Sequence, residues 1–325
     1  MSAGAAGTAG AGTAADGGTA KIRTVLGDLD PAELGVCDAH DHLFFRSARL
    51  PGQELDDPAA AAAELAAFRA AGGRAVIQWT PHGLGRRADQ LVRLAVEGGV
   101  HLVTATGLHQ AAHYDQLPPP DTLAELFVAE LTEGITGPGA DPAGPAPRAG
   151  LIKVAGGYHG LDEHARRTMT AAAAAHHATG APIAVHHELG TGATEVLDLL
   201  CERLGVPPSS VVLGHLNRFP DPLLHRDLAA TGAYLAFDGP SRVNHATDWR
   251  LLATLAELAR AGHGDRLLLG GDTVVATARS TADGPGMPFL LTGLRPRLLR
   301  ELGEEQTGLI FRDNPARAFA ARWRG

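Results

Sequence analysis

The 325-residue chain is poor in sulfur, in aromatic rings and in positive charge. Two cysteines, Cys37 and Cys201, exclude a disulfide framework and fit a reducing compartment, so a cytoplasmic location is expected. Lys and Arg number 28 against 36 Asp and Glu, a net charge of -8, which argues against nucleic acid or an anionic membrane as the main partner and leaves a small-molecule substrate. No uncharged apolar stretch reaches the roughly 18 residues that would span a bilayer. The alanine-rich segments are broken by Glu64 and Arg69, or by His176 and His177. Residues 1–20 are Ala, Gly and Thr without a basic start or an apolar centre, so they read as a disordered leader rather than a signal peptide, ahead of a single domain over 21–325. No G-x-G-x-x-G, Walker A or G-x-S-x-G pattern follows any apolar run.

Histidine is the oversupplied type, with sixteen against three tyrosines and three tryptophans, and this asks for a metal or proton-transfer role. Eight short apolar runs follow residue 34: Gly35–Ala39, Arg74–Trp79, His101–Thr106, Leu151–Ala155, Pro182–Val185, Val211–Leu213, Ala233–Phe237 and Leu267–Gly270. Runs of this length read as parallel strands buried on both faces. Amphipathic stretches separate them: Asp57–Ala71, Arg87–Glu97, Asp121–Glu133, Asp162–Thr179, Gly192–Leu204, Pro222–Ala230 and Asp248–Ala261. Two further helices are expected at Met287–Leu302 and Pro315–Trp323, and the Pro/Gly-rich segment Gly134–Gly150 is read as a loop. Eight βα units in series predict an α/β fold, a (β/α)8 TIM barrel in one domain.

Such barrels carry their chemistry where strands end and βα loops begin. The first strand ends in Asp38-Ala39-His40-Asp41-His42, and alternation lets His40 and His42 face one ion while Asp41 points away. Lys153 lies inside the fourth strand between Ile152 and Val154, the fifth ends in His186-His187, the sixth in Gly214-His215 and the eighth in Gly271-Asp272. Each alone has an ordinary reading: a core histidine, a snorkelling lysine, an aspartate capping a helix. Gathered at one mouth, they point to metal ligation.

The succession H-x-H, I-K-V-A, P-I-A-V-H, L-G-H and G-D, closing on Asn314-Pro315-Ala316-Arg317, resembles the phosphotriesterase family of the amidohydrolase superfamily. The likeness runs from about residue 23 to the end, and Thr24–Gly27 with Glu33–Val36 is similar to that family's N-terminal hairpin. The resemblance implies that His40, His42, Lys153 and Asp272 hold a buried ion. Lys153, His186 and His215 would hold a more exposed one, with Lys153 carboxylated and bridging the two. An ammonium cannot ligate a cation, but a lysine buried among apolar neighbours loses its proton more readily and can take up CO2 as a carbamate. Four imidazoles with oxygen ligands suit two divalent ions, Zn first, with Mn or Co as alternatives. Two such ions make hydroxide near neutral pH, and Asp272 is both ligand and the catalytic base that accepts the proton of the bridging hydroxide. A homodimer is the assembly the resemblance implies.

The loops bear on the substrate. Asp238-Gly239-Pro240-Ser241-Arg242 and Gly284-Pro285-Gly286 are similar to the branch that contains phosphorylated-sugar lactonases. That branch grips phosphate with a Lys in the seventh loop and an Arg and a Tyr in the eighth. Here Asn244 stands in the seventh, and Val274, Val275 and Ala276 lead to Arg279 in the eighth, which disfavours a phosphorylated substrate. Arg242, Tyr158 and Asn217 are the candidate substrate contacts. His109 and His113 are expected near the rim, and His176 and His177 on a solvated helix. The function read from these residues is a binuclear metal hydrolase for a lactone or carboxylic ester. The alternatives are an organophosphate triesterase, disfavoured by 5% aromatics, a small-molecule amidase, and a catalytically inactive binding barrel.

Overall fold

A computed structural model describes residues 18–136, 146–239 and 246–325. A hairpin of β1 (Lys21–Thr24) and β2 (Gly27–Leu29) leads into eight strands, β3 (Cys37–Asp41), β4 (Ala75–Gln78), β5 (His101–Thr106), β6 (Leu151–Ala155), β7 (Ile183–His186), β8 (Val211–Leu213), β9 (Tyr234–Asp238) and β10 (Leu267–Gly270). They pair in chain order, every ladder parallel, as the TIM-barrel reading requires. The last strand returns to the first: the Asp272 N–H donates to the His40 carbonyl at 3.0 Å. Gly270 makes this closure possible, because a Cβ there would sit 2.4 Å from the His40 carbonyl oxygen and 2.5 Å from its nitrogen.

The outer helices are α1 (Pro58–Ala70), α2 (Ala88–Gly98), α3 (Leu123–Thr132), α4 (Glu163–Thr179), α5 (Ala193–Leu197), α6 (Pro222–Ala230), α7 (Leu251–Leu258), α8 (Arg295–Gly308) and α9 (Asn314–Ala318). Three start on aspartates whose carboxylates accept backbone N–H groups, Asp57, Asp162 and Asp221, and two of these place proline next, at Pro58 and Pro222. Strand alternation divides the core. Leu151, Ala184, Val212, Ala236 and Leu268 fill the barrel interior, while Ile152, Val154, Ile183 and Val185 face outward against the helices.

Strand and helix boundaries fall within about two residues of expectation for most units, with one correction toward the C-terminus. The helix expected over Met287–Leu302 is present: the chain is helical from Pro288, passes through wider turns over Leu290–Leu294 into α8, and breaks at Gly303. The helix expected at Pro315–Trp323 ends at Ala318, and Ala320–Ala321 forms β11 against β1, with Lys21 opposite Ala321. Trp323 explains the change: its indole N–H donates to the Lys21 carbonyl at 2.9 Å and its ring carries the Arg23 guanidinium at 3.9 Å. The three-stranded sheet β11-β1-β2 therefore closes the floor of the barrel, with Ile22, Leu34 and Phe319 buried beneath the strand starts. His176 is a second correction, since it is buried and engages the Ala181 carbonyl at 2.7 Å, whereas His177 stays exposed. No helix among the described residues is long and apolar enough to cross a membrane. Most of the Gly134–Gly150 loop lies outside the described residues.

Candidate metal centre

The strand ends converge as the barrel topology demands. His40 and His42 both turn toward Asp272, each Nε2 lying 3.6 Å from Asp272 Oδ1. Simple alternation is not the whole reason, because β3 shifts register against β4 between Asp38 and Asp41. Asp41 does point away. Its Oδ1 accepts the backbone N–H groups of His42 at 2.7 Å and Thr273 at 2.9 Å, fastening the eighth loop to the first strand. The second ring nitrogen of each histidine is fixed from behind: His42 Nδ1 meets Thr80 Oγ1 at 2.8 Å, and His40 Nδ1 meets Asp238 Oδ1 at 3.0 Å. Trp79 stacks on the His40 ring, 3.9 Å between centroids with the planes inclined by 30°, and its indole N–H donates to the Ala39 carbonyl.

The other side of the mouth is built alike. His186 packs edge-on against His215 at 4.4 Å between centroids, and its Nε2 meets Glu188 Oε2 at 3.2 Å. His215 Nδ1 meets Asp238 Oδ2 at 2.7 Å. Lys153 rises from β6 in the middle, 3% exposed, and its charge acts on His42, His109 and His186. Arg218, on the turn after His215, donates to Asp272 Oδ2. His109 belongs to this group too and is not a rim residue: it is buried, with its ring 4.6 Å from His186 and stacked parallel on His113 at 4.2 Å.

Burial sets the protonation states. It lowers His42 to about 4 and His186 to about 3, and takes His215 well below the ordinary histidine value, so these imidazoles are neutral donors at physiological pH. The same desolvation brings the Lys153 amine down to about 7, against the opposing charges of Asp272 and Glu188. Burial works to raise Asp272. The neighbouring His215 imidazole and the Arg218 guanidinium outweigh it and keep the carboxyl below the usual carboxylate range.

The donors fit a divalent ion. Separations of 3.6 Å are too long for hydrogen bonds, and they match two ligand atoms each about 2.0–2.2 Å from one tetrahedral ion. His40, His42 and Asp272 present atoms within 4.8 Å of one another, and all three are buried. A second cluster, His40, His215 and Asp238, also meets that limit, but its contacts of 3.0 and 2.7 Å are hydrogen bonds, which leaves Asp238 as the orienting carboxylate.

The predicted substrate contacts fare differently. Asn217 is buried and its Oδ1 accepts the Asp238 N–H at 3.0 Å, while its Nδ2 has no hydrogen-bond partner among the described residues. Tyr158 is 63% exposed and packs on His159. Arg242 and Asn244 lie outside the described residues. Arg279 is buried, donating to the Leu43 carbonyl, so its cation serves the loop's own structure. Sequence reading passed over Asp238, Arg218, Trp79 and Thr80. Asp238 had the usual signal, a polar residue at a strand end followed by Gly. Arg218 had none, because a loop arginine is ordinarily solvated.

A barrel with imidazoles, a lysine and a carboxylate converging at its C-terminal mouth belongs to the metal-dependent hydrolase class. The model of the phosphotriesterase family matches residues 20–319, and the chain belongs to that family. It is 33% identical over 245 residues to a phospho-furanose lactonase of Mycoplasmopsis agalactiae, covering 70% of this chain and 69% of that one. It is 26% identical over 345 residues to an N-acetyltaurine hydrolase of Salmo salar, covering 91% and 97%. A lactonase structure from Listeria monocytogenes superimposes with a TM-score of 0.85 at 29% identity, over 92% of this chain and 98% of that one. The chain is a hydrolase of this family.

Proposed function

We propose that the protein is a lactonase or carboxylic-ester hydrolase that works with two divalent ions, Zn foremost. His40, His42 and Asp272 would hold one ion and His186 and His215 the other, with Lys153, carboxylated by CO2, between them. The observation that carries the reading is Lys153: a buried amine brought down to about 7 and surrounded by neutral imidazoles serves no packing purpose, but it is well suited to become a carbamate.

When bound, a pair of divalent ions polarises a carbonyl or phosphoryl oxygen and makes water nucleophilic near neutral pH. The chain's own residues prepare that chemistry. Thr80 and Glu188 hold the rings of His42 and His186 at fixed angles through one nitrogen and leave the other free. Asp272 stays ionised and is placed to take the proton of the attacking water, while Arg218 occupies its second oxygen. Related lactonases support the lactone assignment. The structural use of Arg279 supports a substrate without a phosphate group. The N-acetyltaurine hydrolase likeness favours one second reading, hydrolysis of a small acylated amine.

Metal analysis of protein purified without chelator should return about two divalent ions per chain. A panel of lactones, aryl esters, phosphotriesters and acyl amides, followed by proton release, should show turnover on lactones first. Turnover confined to acyl amides would replace the lactonase reading, and the absence of bound metal would overturn the mechanism.

A further inference from the structure

Asp238 holds a position that no single ligand explains. It ends β9, is fully buried, and gives one oxygen to each of two histidines from different strands: Oδ1 to His40 Nδ1 at 3.0 Å and Oδ2 to His215 Nδ1 at 2.7 Å. The reach to β3 crosses β10, and it is open because the residue in register with Asp238 on β10 is Gly270, which has no side chain to block it. Asn217 Oδ1 accepts the Asp238 N–H at 3.0 Å and steadies the backbone behind the carboxylate.

We propose that Asp238 is a positioning residue shared by the two ion positions, one that sets the tautomer of a ligand in each and so ties their affinities together. The proposal rests on the binuclear reading above. A carboxylate only accepts, so both Nδ1 atoms must carry the hydrogen, and each Nε2 is left with a lone pair for a cation. His40 shares its cluster with His42 and Asp272, whereas His215 neighbours His186. One side chain therefore orients a donor on each side of the mouth. Arg218 breaks the symmetry between the two oxygens, with its Nε 3.8 Å from Oδ2.

That asymmetry makes the proposal testable with two substitutions. Asp238→Ala removes both acceptors and should weaken both ions about 10–100-fold. Asp238→Asn keeps the shape but has one acceptor and one donor. The amide oxygen stays beside Arg218 and His215, and the NH2 faces His40, demanding the tautomer that cannot ligate through Nε2. The Asn variant should therefore lose one ion, the one shared by His40, His42 and Asp272, and keep the other. The measurement is metal content per chain at buffered free zinc, with melting of the metal-free proteins as the folding control. An Asn variant that keeps both ions at wild-type affinity, or loses both, overturns the proposal, as does an Ala variant that loses only one. If the Ala variant does not fold, the Asn result alone decides. Wild-type protein that binds fewer than two ions overturns the binuclear reading, and the proposal with it.

Discussion

Lys153 and Lys21 are the two lysines of the chain, and only the first is buried. Substituting Lys153 by Ala should abolish metal retention and turnover together, read by elemental analysis and rate on the same sample. Full turnover in that variant would contradict the mechanism. The pH dependence has a definite sign. Burial has lowered this amine to about 7, so below that pH the ammonium form grows and cannot react with CO2. Activation of metal-free protein by zinc and bicarbonate should therefore slow as pH falls from 8 to 6, roughly tenfold per pH unit below the amine's own value. Trp79 is a different case, with no chemistry of its own. Fully buried against His40, its replacement by Ala should cost about 3–5 kcal/mol and be seen as a lowered melting temperature.

The turn between β4 and α2 is tied to α3 by a buried charge network. Glu130 on α3 accepts from Arg86 through both oxygens, from Thr106, and meets His82 Nδ1 at 2.8 Å. Burial raises this carboxyl, but the bonds from His82 and Arg86 prevail and hold it at about 2 against an ordinary 4.5. The folded-state value is depressed, so the stabilisation is complete above the unfolded value. It is lost as pH falls from about 4.5 through about 2, worth about 3 kcal/mol in all. Glu130→Gln should remove this acid dependence, in denaturant melts between pH 6 and 3, and cost about 3–5 kcal/mol at neutral pH by leaving Arg86 buried without its counter-charge. On β10 the sensitive position is Gly270. A methyl group there meets the His40 backbone, so Gly270→Ala should part the first and eighth strands and lower both stability and metal content.

Much of the barrel was readable because its parallel strands are short apolar runs, four of which end at or just before a candidate ligand. His40, His42, His186, His215 and Asp272 stand at those stops, and Lys153 is conspicuous as the charge inside one. What escaped reading depends on contacts between distant segments. Asp238 becomes meaningful only when β3 and β8 arrive on either side of it, Arg218 only when Asp272 comes within reach, and Trp79 only when His40 lies on its face. The tail misread as helix illustrates the same limit: Ala320–Ala321 has no strand signal of its own and pairs because β1 offers an open edge.

That pairing brings residues from opposite ends of the barrel domain into register, Lys21 beside Ala321, on the face remote from the metal centre. Neighbouring strands lie about 5 Å apart, so a linker of a few residues could join them without strain. The gene could then be reopened at another floor connection, for instance between α6 and β9, where a Cβ at Gly232 would meet nothing within 4 Å. A chain rewired this way should still assemble its eight strands and load its metals. Deleting residues 320–325 instead should lower the melting point while leaving metal content per folded chain unchanged.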